Sequence, residues 1–255
     1  TLGFSITGVF AEEAAQTSTQ PEGAVEGQAL EGGLTFAPET GVTYITTGEQ
    51  HIYQISSPGE YTVSMNGVAS TTDGIEITTT DPVTLNLQNV QIDAGSIANS
   101  IGLDNENNSD VILKLSGDNM IRGALGGISS VKGKVTINGD TNSILHIAAG
   151  GDQTHGFISS GYVQNGGKVY IDAMWAMTMG SPSTDAKFEV NAGTLTLTSY
   201  SWHGDPALMV YGKITPAKMT AMGSTDEGKS YTIPLTSWDK PDGEKYFTLL
   251  DADKT

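Results

Sequence analysis

The chain has no cysteine and only one arginine, Arg122, in its 255 residues. Without cysteine there is no disulfide scaffold and no cysteine-built zinc site. Basic residues are scarce throughout, 12 Lys and Arg against 29 Asp and Glu, for a formal net charge of −17. Nucleic acid and anionic membranes are bound through basic patches, so neither is expected as a partner. No apolar run reaches the ~18 residues that a membrane-spanning helix needs. Charged residues make up only 16% of the chain, too few for a coiled coil or helical bundle rich in Glu, Lys and Arg. Glycine, by contrast, occurs 32 times, and threonine is spread along the whole length.

The charge is unevenly placed. Residues 1–113 hold 15 Asp and Glu with no Lys or Arg, and every cation of the chain lies from Lys114 onward. Such asymmetry points either to cation binding in the first half or to a head-to-tail contact between unlike halves.

Residues 1–10 read TLGFSITGVF. Leu2, Phe4, Ile6 and Phe10 fall on even positions, and the period of two gives a strand with one apolar face. Residues 1–11 are therefore expected to form an apolar strand suited to addition onto a neighbouring subunit. Val9-Phe10-Ala11 before Glu12 also resembles a signal-peptidase site, which is the alternative reading of the same segment. Residues 12–33 have five Glu, four Gly, one Pro and no aromatic residue, the composition of a linker. At the other end, Lys240-Pro241-Asp242-Gly243 is a turn signal between the apolar runs 231–238 and 244–250. A hairpin is expected within residues 224–255, as a cap.

Between these ends, residues 34–223 are expected to form one β-domain, and from about residue 61 to 223 a coarse unit repeats. Each unit is an alternating strand, an Asn/Gly corner and a second alternating strand. Val83, Leu85 and Leu87 face one way, Asn89 breaks the phase, and Val90 and Ile92 resume it. Corners recur near residues 89, 117, 139, 166, 192 and 212, about 20 to 28 residues apart. A period of that size without helical spacing predicts a solenoid of stacked β-coils. Its core should contain Leu85, Leu87, Leu113, Leu115, Val135, Ile137, Val169, Ile171, Leu195 and Leu197. Stacked corner Asn side chains should hydrogen-bond along the axis. Residues 34–60 and the terminal hairpin would cap the open ends. An antiparallel sandwich is the alternative fold.

Gly74–Ile77, followed by VTLNLQNVQI at 83–92, LKLSGDN at 113–119 and VTINGD at 135–140, resembles a family of secreted clostridial carbohydrate-binding domain proteins. These are similar in fold to pectate lyases. The resemblance covers roughly residues 61–215. It implies a right-handed parallel β-helix, bound calcium and binding of plant-type polysaccharide without established cleavage. It says nothing about residues 1–33.

Asp104, Glu106, Asn108 and Asp110 place four oxygen ligands at alternate positions of an acidic loop, the hard-donor chemistry that calcium takes. Asp118, Asp140, Asp152 and Asp172 lie near other corners as lesser candidates. A lyase would need calcium on a uronate and a base for its C5 proton. Arg122, close to Asp118, reads as a structural ion pair instead. His51, His146, His155 and His203 show no ligand spacing, and His146 alternates outward between Leu145 and Ile147. Tyr200 and Trp202 lie two apart and so share a face in extended chain, which suits a sugar ring. Tyr162 and Tyr211 are further aromatic candidates. The alternative is that Trp175, Trp202 and Trp238 pack the core or caps.

The sequence thus points to an extracellular, non-catalytic β-helix protein. It is expected to bind calcium and to assemble head-to-tail into a surface filament of identical subunits through Leu2, Phe4, Ile6 and Phe10. The alternative is a monomeric calcium-dependent polysaccharide-binding module.

Overall fold

The structure, a computed structural model, describes residues 31–107, 109–150, 154–180, 186–199, 208–210, 212–216 and 245–247. These residues are all-β, in eighteen strands joined in one continuous sheet that wraps into a parallel β-helix. Three faces build each coil. The first face stacks Gly59–Met65, Val83–Gln88, Val111–Ser116, then 134–139, 161–165, 186–192 and Gly212–Pro216 in parallel. The second stacks Gln91–Ala94, Asp118–Gly123, Ile144–Ala149, then 168–173 and 194–199. The third stacks Gln50–Ile55, Gly74–Ile77, Ile101–Asn105, then 126–130, 155–159, Trp175–Met179 and Leu208–Val210. Parallel pairing on all three faces rules out the antiparallel sandwich.

The alternation seen in the sequence becomes columns of like side chains along the axis. On the second face Ile92, Ile121, Ile147, Ile171 and Leu197 lie in register. On the third, Tyr53, Ile75, Leu103, Ile128, Phe157, Met177 and Leu208 do the same. All ten expected core residues are buried, Leu115 least so at 7% exposed. One continuous apolar core therefore runs along the axis, as stacked coils require.

The corners explain the phase slips. Asn89 adopts φ 52° and Gly117 φ 70°, the left-handed region that Asn and Gly tolerate best. The Asn89 side-chain oxygen accepts the backbone N–H of Asp118 at 3.1 Å, joining one corner to the next. A Cβ on Gly117 would sit 2.0 Å from that same Asn89 oxygen. The expected Asn ladder forms on the outer surface of the first face. Asn165 donates to Asn138 and Asn191 donates to Asn165, each at 2.9 Å.

Where the second face bends into the third, the backbones come close. Cβ atoms on Gly102, Gly127 and Gly156 would lie 2.6, 2.4 and 2.6 Å from the Cγ2 atoms of Ile121, Ile147 and Ile171. This glycine column lets the two faces share one core. Gly127→Ala should therefore destabilise the fold by about 1–3 kcal/mol through overpacking, a loss that calorimetry would measure. A melting temperature equal to that of the parent would refute the close approach.

Antiparallel strands cover the first coil. Leu34–Ala37 pairs with Gly59–Met65, and Val42–Thr47 pairs with Gln50–Ile55. The Tyr53 hydroxyl donates to the Glu31 carbonyl at 2.6 Å, and Gly33 N–H donates to Asp73 at 2.7 Å. These bonds pin the chain as it enters the solenoid. At the far end Lys245–Phe247 pairs antiparallel with Leu208–Val210. The partner expected within the terminal hairpin, 231–238, lies outside the described residues, as do the strand 1–11 and the linker to residue 30.

Candidate functional site

A groove of about 560 Å³ opens on the outer side of the third face, near its N-terminal end. The hairpin turn at Thr47–Gln50 forms one wall, and the loop carrying Ala98 and Asn99 forms another. Ile52, Gly74, Ile75 and Ile101 line it as well. Glycine at position 74 keeps the wall low, because a Cβ there would sit 2.7 Å from Gln50 Nε2. Gln50 instead reaches across and donates to the Ile101 carbonyl at 3.2 Å.

Glu76, Asp104 and Glu106 complete the lining. Glu76 and Asp104 are direct register partners in adjacent coils, and both point outward. Lateral strand neighbours lie about 4.8 Å apart, where like charges repel. Neutral groups flank the pair. Gln54 donates to Glu76 at 2.7 Å from one side, and Ser129 hydrogen-bonds Asp104 from the other. Burial pushes the Asp104 carboxyl above its ordinary pKa, and the Glu76 charge adds to the shift while the Ser129 bond opposes it. The Glu106 carboxyl is also pushed up, first by partial burial and then by Glu76 and Asp104, and it shares a hydrogen bond with Glu76.

No cation among the described residues relieves this cluster. The lysine and arginine ion pairs lie elsewhere: Lys114 with Glu60 at 2.8 Å, Lys134 with Asp110 at 3.0 Å, and Arg122 with Asp93 at 3.5 Å. Arg122 thus forms a structural pair as expected, but its partner is Asp93 rather than Asp118, which lies 3.9 Å from His146.

The three expected calcium ligands among the described residues separate. Asp104 and Glu106 reach the groove, whereas Asp110 begins the next first-face turn and binds both the Lys134 ammonium and its backbone N–H. Asn105 causes the divergence. Its buried side chain donates to the Ser109 carbonyl at 2.8 Å and accepts the Ser109 hydroxyl at 2.9 Å, folding the loop back on itself. Asn108 lies outside the described residues. No group of three His, Asp or Glu among the described residues already has the geometry of a metal centre. Glu76, which the sequence reading missed, takes the place beside Asp104. Its signal was its repeat position: Glu76 in GIEI, Asp104 in IGLDN and Ser129 in GGISS occupy equivalent outward places.

Tyr200, Trp202, Tyr211 and Trp238 lie outside the described residues, as do Leu2, Phe4, Ile6 and Phe10. Tyr162 is no sugar platform: it is fully buried, and its hydroxyl donates to Gln164 at 2.8 Å. Trp175 lies half-buried on the outer side of the third face, its ring 4.8 Å from that of His155. Burial pushes the His155 pKa down, which keeps the ring neutral. His146 points outward as expected, stacked on Tyr170 at 4.8 Å. Asp140 caps its own turn by accepting the N–H groups of Asn142 and Ser143, each at 2.8 Å.

No family model, no curated protein and no solved structure matches this chain.

Proposed function

We propose that this protein is a non-catalytic extracellular module that binds an acidic polysaccharide through calcium held in the third-face groove. The observation that carries this reading is the register pairing of Glu76 with Asp104, joined by Glu106, with no Lys or Arg beside them. Stacked carboxylates of this kind are relieved either by protons or by a hard cation, and carboxylate oxygens are the donors that calcium takes. A bound calcium with open coordination positions can bridge the groove to the carboxylates of a uronate polymer. Hydrogen-bonding groups on the rim, at Thr47 and Asn99, suit sugar hydroxyls.

The lining supports binding as the reading rather than cleavage. Removal of a C5 proton requires a base within hydrogen-bond reach of the sugar. None of the described lining residues is Lys, Arg or His, and three of its four carboxylates, Glu76, Asp104 and Glu106, serve in this reading as the calcium donors.

The protein should co-sediment with an insoluble uronate polymer in millimolar calcium and be released by EDTA. Glu76→Gln should weaken that retention at least tenfold. Retention unaffected by EDTA, or equal retention on a neutral glucan, would overturn the reading.

A further inference from the structure

Asparagine precedes glycine three times, at Asn66-Gly67, Asn138-Gly139 and Asn165-Gly166. Such a pair is chemically unstable, because glycine has no Cβ to hinder its nitrogen. The glycine nitrogen attacks the asparagine Cγ, and the new N–Cγ bond closes a succinimide ring. The Cγ–Nδ2 bond breaks, and ammonia leaves with the amide proton of the glycine. Water then opens either imide bond, leaving aspartate or an isoaspartate whose main chain is longer by a carbon. The reaction needs a side chain free to meet the next nitrogen.

The structure separates the three pairs. Asn138 and Asn165 lie inside the strands Gly126–Gly139 and His155–Ala173, which pair with neighbouring coils. Asn165 donates to the Asn138 side-chain oxygen and accepts from Asn191, each at 2.9 Å. The ladder thus turns these amides along the axis, and Gly166 packs against the Gly139 carbonyl. Asn66 and Gly67 instead begin the exposed bend 66–69 that follows Gly59–Met65. A Cβ on Gly67 would meet no atom within 4 Å. This bend can bring the Gly67 nitrogen onto Asn66 Cγ, whereas a strand held in the sheet resists that turn.

Asn66 also holds the entering chain. Its backbone N–H donates to the Gly33 carbonyl at 2.8 Å, and its Nδ2 donates to the Gly32 carbonyl at 3.0 Å. With the Tyr53–Glu31 and Gly33–Asp73 bonds, these clasp residues 31–33 against the first coil. We infer that Asn66 is a site of spontaneous deamidation, and that its conversion loosens this clasp. Water is the only co-reactant, and the inference is independent of the calcium groove. The carboxylate formed has no N–H for the Gly32 carbonyl, and its charge faces that oxygen. The first 113 residues already hold 15 acids and no Lys or Arg, so no basic side chain there offsets the new charge. The attachment of the entering chain therefore weakens with the age of the molecule.

The test ages the full-length protein in mildly alkaline buffer. Cleavage after Glu releases residues 61–76, in which Asn66 is the only asparagine, and residues 107–189, which hold both ladder pairs. Mass spectrometry should find amide-to-acid conversion at Asn66 at least tenfold faster than at Asn138 or Asn165, and none at position 66 in Asn66→Gln. Fresh Asn66→Asp protein, folded like the parent by circular dichroism, should exchange the Gly33 and Leu34 amide hydrogens at least tenfold faster by NMR. No conversion at Asn66, or conversion of a ladder pair at the same rate, would overturn the site. Parent-like exchange in Asn66→Asp would overturn the loosening of the clasp.

Discussion

Asn119→Ala should lower stability by about 3 kcal/mol, although the substitution removes only one amide. Asn119 is fully buried beside the Gly117 corner. Its oxygen accepts the Val90 N–H from the coil before at 2.9 Å. Its nitrogen donates to Ser116 in its own coil and to the Ile144 carbonyl in the coil after, each at 3.2 Å. One side chain therefore ties three successive coils together beside the corner. Alanine leaves a buried N–H and buried carbonyls without partners, each a loss of roughly 1–3 kcal/mol. For a domain of this size the melting temperature should fall by about 6–12 °C. Asn138→Ala provides the control. Asn138 is also a ladder amide, but its bond to Asn165 is exposed, and water replaces it at a loss of about 0.5 kcal/mol or less. Equal losses for the two variants would show that burial is not what gives Asn119 its weight.

This contrast shows which parts of the fold the sequence reveals. Side-chain alternation has a period of two, so Leu85, Leu87, Val169 and Ile171 declare their inward direction locally. Asn89 and Gly117 declare the corners because a left-handed backbone favours those two residue types. The register between coils has no local signature. Asn119 reads as one more corner residue until the stacking brings Val90 and Ile144 to its two sides. Gln164 is hidden in the same way: fully buried, it bonds Gly167 at 3.1 Å in its own coil and Thr194 at 3.0 Å in the next. The Gly102, Gly127 and Gly156 column likewise appears only once the isoleucines of the neighbouring face are in place.

The groove repeats the lesson at the level of chemistry. Asp104, Glu106 and Asp110 share a face only if the loop is extended, and the bonds between Asn105 and Ser109 fold it back instead. The residue that does meet Asp104 comes from the preceding coil. Local spacing finds ligands that one loop presents. A solenoid assembles its sites across coils, so equivalent positions in successive repeats carry the information.

Without calcium, Asp104→Asn should raise the melting temperature at pH 7 by roughly 1–4 °C, an advantage that shrinks as the pH is lowered. Lateral like-charge neighbours destabilise by about 0.5–1 kcal/mol, and the amide removes one charge while retaining a group that Ser129 can bond. The sign follows from the titration. Burial and the neighbouring Glu76 raise the Asp104 carboxyl above its unfolded pKa, and burial with Glu76 and Asp104 raises Glu106. A raised folded pKa means that the native state holds the proton more tightly than the unfolded chain does. Its stabilisation is complete below the unfolded pKa, near 4, and is lost as pH rises through the folded pKa. As pH falls the native state takes up this proton and the charge conflict fades, so the amide changes progressively less. His155 titrates with the opposite sense, since burial lowers its pKa and its stabilisation fades as pH falls below about 6.5. It is present in both proteins and cancels in the difference. Calcium should reverse the order at pH 7. At a concentration a hundredfold above Kd, a cation bound only by the native state adds about 2.7 kcal/mol, or roughly 5–11 °C. The parent should gain that amount, and Asp104→Asn should lose most of it along with one charged ligand. If the variant is less stable than the parent at pH 7 in EDTA, the carboxylates are not in conflict. If calcium shifts both melting curves equally, the groove is not where it binds.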